Sequence, residues 1–154
     1  MALARPRDAV VIVNDRADIA KLAGAEGVHL GQDDLSPLAA RAILGPAALI
    51  GRSTHSIAQI EAASTEPVDY LAIGPVFGTT TKATGYEAVG LGMVTKAAST
   101  GRPVVAIGGI KLHNAASVIA AGAASVAVIS DLLVTGDPKQ RTTEFLNALA
   151  GARG

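Results

Sequence analysis

Short runs of apolar, largely β-branched residues recur along the whole chain, and they predict its strands. Within each run the apolar residues are nearly continuous, which is typical of parallel strands covered on both faces. Six such runs are present, at residues 9–13, 27–30, 48–51, 69–73, 103–107 and 125–129.

The segments between these runs have the apolar spacing of helices. They lie at residues 19–23, 38–44, 57–63, 93–98 and 112–121. Glycine or proline separates helix from following strand, as at Gly24, Gly45 and Gly122, where a helix is expected to end. The sequence therefore predicts a repeated β–α unit.

We predict an α/β fold, a TIM (β/α)8-type barrel that is incomplete, with about six βα units and with residues 1–154 as a single domain. An open doubly wound sheet is the alternative, but no Gly-x-Gly-x-x-Gly fingerprint follows the first predicted strand. A barrel of six strands has two open edges, which proteins normally close, cover or pair. We therefore expect a homo-oligomer, a rearranged end or a piece of a longer product.

Composition and charge narrow the function further. Lysine and arginine together number 13, as do aspartate and glutamate, so no field of one sign is available to attract nucleic acid or an anionic membrane. The chain has no cysteine, which excludes disulfides and thiolate metal sites and agrees with a cytoplasmic setting. Its N-terminal apolar run is too short for a membrane span. We expect small-molecule substrates.

Polar residues follow the predicted strands, at the end where parallel α/β folds bind their ligands. Asp15 and Asp34 follow neighbouring strands, and such a pair suits Mg²⁺, which takes one or two carboxylates besides water and phosphate. The alternative is that both carboxylates only cap the helices that follow. His29 and His113 are scattered, whereas His55 follows a strand, where proton transfer is plausible.

Two further segments have the residue types of phosphate sites. Gly108–Gly109, before a predicted helix, lets backbone N–H groups approach an anion, although a tight turn would need the same residues. Ser130 follows the last strand, where it binds phosphate or serves as an ordinary N-cap. Thr79, Thr81 and Lys82 offer hydroxyls and one positive charge on a long loop, which contacts a ligand or is simply solvated.

Seven strings in order and in register resemble the thiamine phosphate synthase family: VIVND, GVHLGQDD, IGRSTHS, DYLAIGPVF, GTTTK, VVAIGGI and SVAVIS. The resemblance implies a TIM barrel that joins a hydroxymethylpyrimidine diphosphate to a thiazole phosphate, giving thiamine phosphate and pyrophosphate with Mg²⁺. The implied reaction is dissociative. The diphosphate leaves, a pyrimidine methyl cation forms, and the thiazole nitrogen attacks it without a protein nucleophile.

The resemblance also assigns site residues. Asp15 and Asp34 match magnesium ligands, and Asn14, Ser53 and Lys82 match contacts to the pyrimidine diphosphate, with Lys82 and Ser53 in catalytic roles. The residues that match the thiazole phosphate site are Thr79, Thr80, Thr81, Gly109, Ile129 and Ser130. Family members carry two earlier βα units with a Gln-x-Arg-x-Lys segment that grips the diphosphate, and this chain starts too late to contain them.

Two alternatives to a synthase stay open. The related thiazole tautomerase shares the barrel and a similar Gly-Arg-Ser-x-His-Ser string, in which a histidine moves protons, and His55 occupies that position. A shortened, inactive remnant that binds phosphate without turnover is the other alternative.

Overall fold

In the computed structural model, which describes residues 1–78 and 85–152, six strands form one sheet. They are β1 (Ile12–Asn14), β2 (Gly27–Leu30), β3 (Leu49–Thr54), β4 (Tyr70–Ile73), β5 (Val104–Ile107) and β6 (Ser125–Ala127). Each strand pairs in parallel with the next one along the chain, so the sheet order is the chain order. The sheet curls into part of a barrel with helices between its strands, which confirms the predicted incomplete TIM-type fold.

Six α-helices connect and follow the strands. They are α1 (Ala17–Ala23), α2 (Pro37–Leu44), α3 (Ile57–Thr65), α4 (Gly90–Ala98), α5 (Leu112–Ala120) and α6 (Pro138–Gly151), and short 3-10 helices lie at Arg5–Arg7 and Ser130–Leu132. The first five were predicted, with ends that differ by up to a few residues. Within residues 1–78 and 85–152, no helix combines the length and apolar character needed to cross a membrane.

The main apolar core lies between the outer face of the sheet and the helices. Strand residues that point outwards are fully buried there, and they are Val28, Leu30, Ile50, Leu71, Ile73, Val104 and Ala106. They pack with Ala20, Ala40, Ile60, Val94 and Val118 from the helices. Each large aliphatic side chain buried in this way stabilises the fold by roughly 1.5–3 kcal/mol. The inner face of the sheet contributes little to this core, and it carries the polar side chains His29, Ser53 and Tyr70.

The third strand is longer than the apolar run that predicted it. Residues 48–51 were expected, but pairing with β4 continues to Thr54. Because side chains alternate along a strand, Ser53 points to the inner face and Thr54 to the outer one, where its Oγ1 donates to the Ala72 carbonyl at 2.9 Å. Ser53 and Thr54, which were predicted to follow the strand, are therefore part of it.

The C-terminal helix α6 was not predicted. Its mixed polarity gave no clear apolar stripe, yet a start signal is present in the sequence. Asp137 is the N-cap and Pro138 is the first helical residue, a favoured combination at helix starts. The Asp137 carboxylate accepts a hydrogen bond from the Gln140 N–H at 3.0 Å.

This cap gives a stability test of the fold. We expect Asp137→Ala to lower the free energy of unfolding by about 1 kcal/mol, because it leaves a first-turn N–H without its acceptor. Asp137→Asn is the matched control, since asparagine caps as well as aspartate does. Urea denaturation measures both variants, and equal stability of Asp137→Ala and the unchanged chain would contradict the assignment.

Candidate active site

The cleft of interest opens at the carboxyl ends of the strands and has a volume of about 430 Å³. Five of the residues predicted for a site line it, namely Asn14, Ser53, Gly109, Ile129 and Ser130. His29 and His55 line it as well. Thr79, Thr80, Thr81 and Lys82, which the sequence also singled out, lie outside the described residues. The parallel sheet thus gathers side chains that are far apart in sequence.

The end of β1 is joined directly to β2. The Asp15 N–H donates to the His29 carbonyl at 2.8 Å, and the Asn14 side-chain amide donates to the Asp15 carboxylate at 2.8 Å. Asp15 has a φ of 66°, the left-handed region that few residues other than glycine, asparagine and aspartate adopt. The backbone therefore turns sharply where the cleft begins.

Asp34 stabilises the loop that follows β2. Its Oδ2 accepts a hydrogen bond from the Gly31 N–H at 2.6 Å. The N-cap of α1 is Arg16, and that of α2 is Ser36, whose hydroxyl accepts from the Ala39 N–H at 3.3 Å. The alternative that Asp15 and Asp34 merely cap helices is therefore wrong.

The two carboxylates suit one type of metal. Among the described residues, no group of three or more His, Cys, Asp or Glu side chains is arranged to hold a metal ion, as a protein-bound zinc would require. Mg²⁺ needs only one or two carboxylates, because water and phosphate oxygens complete its coordination. Asp15 and Asp34 follow strands that are hydrogen-bonded neighbours, so the donor set fits Mg²⁺ held jointly with a substrate.

The glycine pair after β5 packs tightly against the loop after β4. Gly108 and Gly109 have φ values of 93° and 64°, and a Cβ on Gly109 would lie 2.6 Å from the Gly78 carbonyl oxygen. The Phe77 N–H donates to the Gly108 carbonyl at 3.0 Å. Packing alone therefore requires glycine at both positions, and Gly109 also lines the cleft. The tight-turn and ligand-contact interpretations are compatible.

At the start of α5, the helix after the glycine pair, lies a carboxylate of the protein itself. The first N–H of α5, on Leu112, donates to the buried Asp131 carboxylate at 3.0 Å. Arg141 of α6 holds the same carboxylate oxygen at 2.7 Å, and its Nε donates to the Asp131 carbonyl at 3.2 Å. The first N–H of α5 is thus bound within the protein, whereas the sequence analysis assigned the backbone N–H groups of Gly108–Gly109 to a ligand anion. Gly109, Ile129 and Ser130 are the residues that line the cleft here.

His55 is held in a defined orientation. Its Nδ1 donates to the Gly74 carbonyl, so in the neutral ring the lone pair is on Nε2. The ring stacks on Tyr86 with centroids 3.8 Å apart and an interplanar angle of 11°. Sequence reasoning did not single out Tyr86, although it is one of two tyrosines in an aromatic-poor chain.

His29, Gly51 and Tyr70 form a row across three strands. In the sheet register His29 pairs with Gly51, and Gly51 pairs with Tyr70. A Cβ on Gly51 would lie 2.0 Å from Tyr70 Cζ, so the absent side chain is what lets the tyrosine ring cross β3. The Tyr70 hydroxyl then lies 3.0 Å from His29 Nδ1, and His29 Nε2 lies 2.8 Å from Ser53 Oγ.

This row corrects the sequence interpretation, in which His29 was a scattered histidine with no assigned role. The side chain lies in the cleft because β2 presents it on the inner face. Burial of Tyr70 disfavours its phenolate and raises the pKa of the hydroxyl above its ordinary value of 10.0.

Comparison with known proteins identifies the family. The family model described as thiamine monophosphate synthase matches residues 1–132. The chain belongs to this family. It is 52% identical to the thiamine-phosphate synthase of Koribacter versatilis (strain Ellin345) over 95% of its own length and 69% of that protein. It is 46% identical to the thiamine-phosphate synthase of Azorhizobium caulinodans over 89% of its own length and 65% of that protein.

Solved structures agree with this thiamine monophosphate synthase assignment. The thiamine phosphate pyrophosphorylase from Pyrococcus furiosus superposes with a TM-score of 0.90 at 34% identity, covering 99% of this chain and 73% of that one. A 3-hexulose-6-phosphate synthase superposes with a TM-score of 0.69 at 18% identity over 96% of this chain and 78% of that one, which shows the shared fold alone. The chain spans about two thirds of its curated relatives in several cases, and 41% of the Gloeobacter violaceus thiamine-phosphate synthase.

The buried hydroxyl of Tyr70 gives a direct test of the cleft geometry. We expect a tyrosine that ionises above its ordinary pKa of 10.0, and we expect this step to disappear in Tyr70→Phe. Ultraviolet absorbance during an alkaline titration measures the phenolate. If the titration step that disappears in Tyr70→Phe lies at or below the ordinary tyrosine pKa, Tyr70 is not buried against β3.

Proposed function

We propose that the chain is a thiamine-phosphate synthase, a transferase that joins a hydroxymethylpyrimidine diphosphate to a thiazole phosphate and releases pyrophosphate. The observation that carries this proposal is one cleft with two polar ends. Asn14 and Ser53 lie at the β1–β3 end, and Gly109, Ile129 and Ser130 lie at the β5–β6 end. A cleft of about 430 Å³ suits two small heterocycles, each with a phosphate group.

The β1–β3 end suits the diphosphate. The Ser53 hydroxyl and the Asn14 amide are neutral polar groups that line the cleft. Asp15 and Asp34 are not among its lining residues, but they directly follow the lining residues Asn14 and Asp33, and they would hold Mg²⁺ at this end. When bound, Mg²⁺ supplies charge neutralisation for the departing pyrophosphate. We assign Lys82 the same electrostatic task, on the family resemblance.

The β5–β6 end suits the thiazole phosphate. Gly109 brings backbone close to the cleft, and Ser130 begins the 3-10 helix at Ser130–Leu132. Ile129 lines the cleft and is 60% exposed, so it can contact a ligand. We assign Thr79, Thr80 and Thr81 to the same phosphate on the family resemblance. The role of these residues is to hold the thiazole nitrogen in line with the pyrimidine methylene carbon.

A tautomerase function is the second candidate, and the orientation of His55 favours it. A neutral histidine that donates from Nδ1 carries its basic lone pair on Nε2, as proton transfer requires. A synthase depends on Asp34, whereas a tautomerase depends on His55. Activity that survives Asp34→Ala and is lost in His55→Ala would therefore identify the tautomerase.

We further propose that residues 1–154 act as one cytoplasmic unit that assembles with copies of itself. Among the described residues, β1 and β6 each pair with one strand only. Exposed apolar side chains lie just after β6, with Leu133 at 65% and Val134 at 64% exposure. Covering such an edge removes an aggregation risk.

Light scattering on the purified chain measures this assembly. We expect a mass of at least two chains, because unpaired strand edges and exposed apolar side chains favour association. Leu133→Lys with Val134→Lys should lower the mass if this surface is the contact, and Leu146→Lys, a comparably exposed position on α6, is the control. A monomer at all concentrations would contradict self-assembly.

Calorimetric titration with pyrophosphate tests the diphosphate end. We expect binding that requires Mg²⁺, and we expect Asp15→Asn to weaken it by about tenfold or more through loss of a carboxylate ligand. Asparagine adopts the left-handed backbone of Asp15 readily, so the variant changes charge without straining the turn.

Asp18→Asn is the matched control for this titration. Asp18 is an exposed carboxylate in the first turn of α1, and Arg16 already holds it in an ion pair at 2.6 Å. Its replacement should leave pyrophosphate binding unchanged. Binding in the absence of Mg²⁺ would contradict the metal assignment, and binding without turnover of both substrates would identify an inactive remnant.

A further inference from the structure

Ser53 is part of a hydrogen-bonded series that begins away from the substrate. The series runs from the Tyr70 hydroxyl to His29 Nδ1 at 3.0 Å, and from His29 Nε2 to Ser53 Oγ at 2.8 Å. All three side chains are half-buried on the inner face of the sheet. The heavy-atom distances alone do not say in which direction the hydrogen bonds of the series are donated.

Counting donors and acceptors selects one direction. A phenol has one hydrogen to donate, and in the described part of the chain the nearest acceptor for the Tyr70 hydroxyl is His29 Nδ1. If Nδ1 carried the proton, Tyr70 would only accept, and its own hydrogen would have no acceptor among the described residues. Tyr70 is half-buried, so leaving its hydroxyl hydrogen without a protein acceptor is unfavourable; we infer that Tyr70 donates and that the histidine proton lies on Nε2.

The consequence reaches Ser53. With its proton on Nε2, His29 donates to Ser53 Oγ, and the serine hydroxyl hydrogen is directed elsewhere. Ser53 lines the cleft, so that hydrogen is available to an anionic oxygen there. With the proton on Nδ1 instead, Ser53 would donate its hydroxyl hydrogen to His29 Nε2. Its oxygen would then present only lone pairs to an anion in the cleft, and these repel the anion.

We propose that His29 is a positioning residue that makes Ser53 a hydrogen-bond donor to the diphosphate, with Tyr70 fixing the tautomer of His29. This inference rests on the proposed function for the identity of the anion. The tautomer itself does not depend on that function, so the two can fail separately.

Gly51 is also needed for the hydrogen bond between Tyr70 and His29. The Tyr70 ring occupies the space of the missing side chain, and its centroid lies 5.7 Å from that of His29 with an interplanar angle of 22°. A methyl group on Gly51 would push the ring away from His29. Gly51→Ala should therefore break the first hydrogen bond without altering any polar group.

The first experiment measures the tautomer. Nitrogen-15 shifts of the His29 ring, recorded on the free protein at a pH where the ring is neutral, distinguish a proton on Nε2 from one on Nδ1. We expect the Nε2–H form in the unchanged chain and a mixture of forms in Tyr70→Phe and Gly51→Ala. A proton on Nδ1 in the unchanged chain would overturn the proposal, whether or not the protein binds pyrophosphate.

The second experiment uses a matched pair at His29 in the pyrophosphate titration with Mg²⁺. The glutamine amide nitrogen reaches the position of Nε2, whereas that of asparagine reaches only the position of Nδ1. We expect His29→Gln to keep affinity within about threefold, and His29→Asn to fall about tenfold or more, to the level of Ser53→Ala.

A double variant separates positioning from general damage. In Ser53→Ala the His29→Asn change should cost no further affinity, because the hydroxyl that His29 positions is already gone. Equal loss in His29→Gln and His29→Asn, or additive losses with Ser53→Ala, would overturn the proposal. If the unchanged chain does not bind pyrophosphate, both the proposed function and the assignment of the diphosphate as the partner of Ser53 are wrong. The nitrogen-15 shifts of the His29 ring still determine its tautomer in that case.

Discussion

The architecture depends on the parallel pairing of strands in chain order. Because β1 to β6 run in the same direction, every loop after a strand opens at one edge of the sheet. Residues as distant in sequence as Asn14 and Ser130 therefore meet around one cleft. An antiparallel arrangement of the same strands would send half of these loops to the opposite edge.

The two faces of each strand have different tasks. Outward residues such as Ile50 and Leu71 are fully buried against helices and supply the stability of the fold. Inward residues such as His29 and Ser53 supply hydrogen-bonding groups to the cleft. The alternation of side chains along β3 separates these tasks by a single residue, since the buried Thr54 directly follows Ser53.

Much of the fold could be predicted from the sequence, because a short and nearly continuous aliphatic run between turn residues is typical of a buried parallel strand. The polar end of β3 and the helix α6 could not be predicted from apolar periodicity, since neither has a continuous apolar run. Candidate residues at strand ends were found because they directly follow apolar runs. The role of His29 was missed because it depends on the lateral register that joins it to Gly51 and Tyr70, which no local pattern reveals.

Asp131 connects the C-terminal helix α6 to the cleft. Arg141 of α6 binds its carboxylate, which also accepts the Leu112 N–H at the start of α5, while Ser130 next to it lines the cleft. Helix α6 thus holds in place the loop after β6 that lines the cleft. A tag, fusion or shortened C-terminus that displaces α6 would therefore disturb this edge of the cleft without changing any residue that lines it.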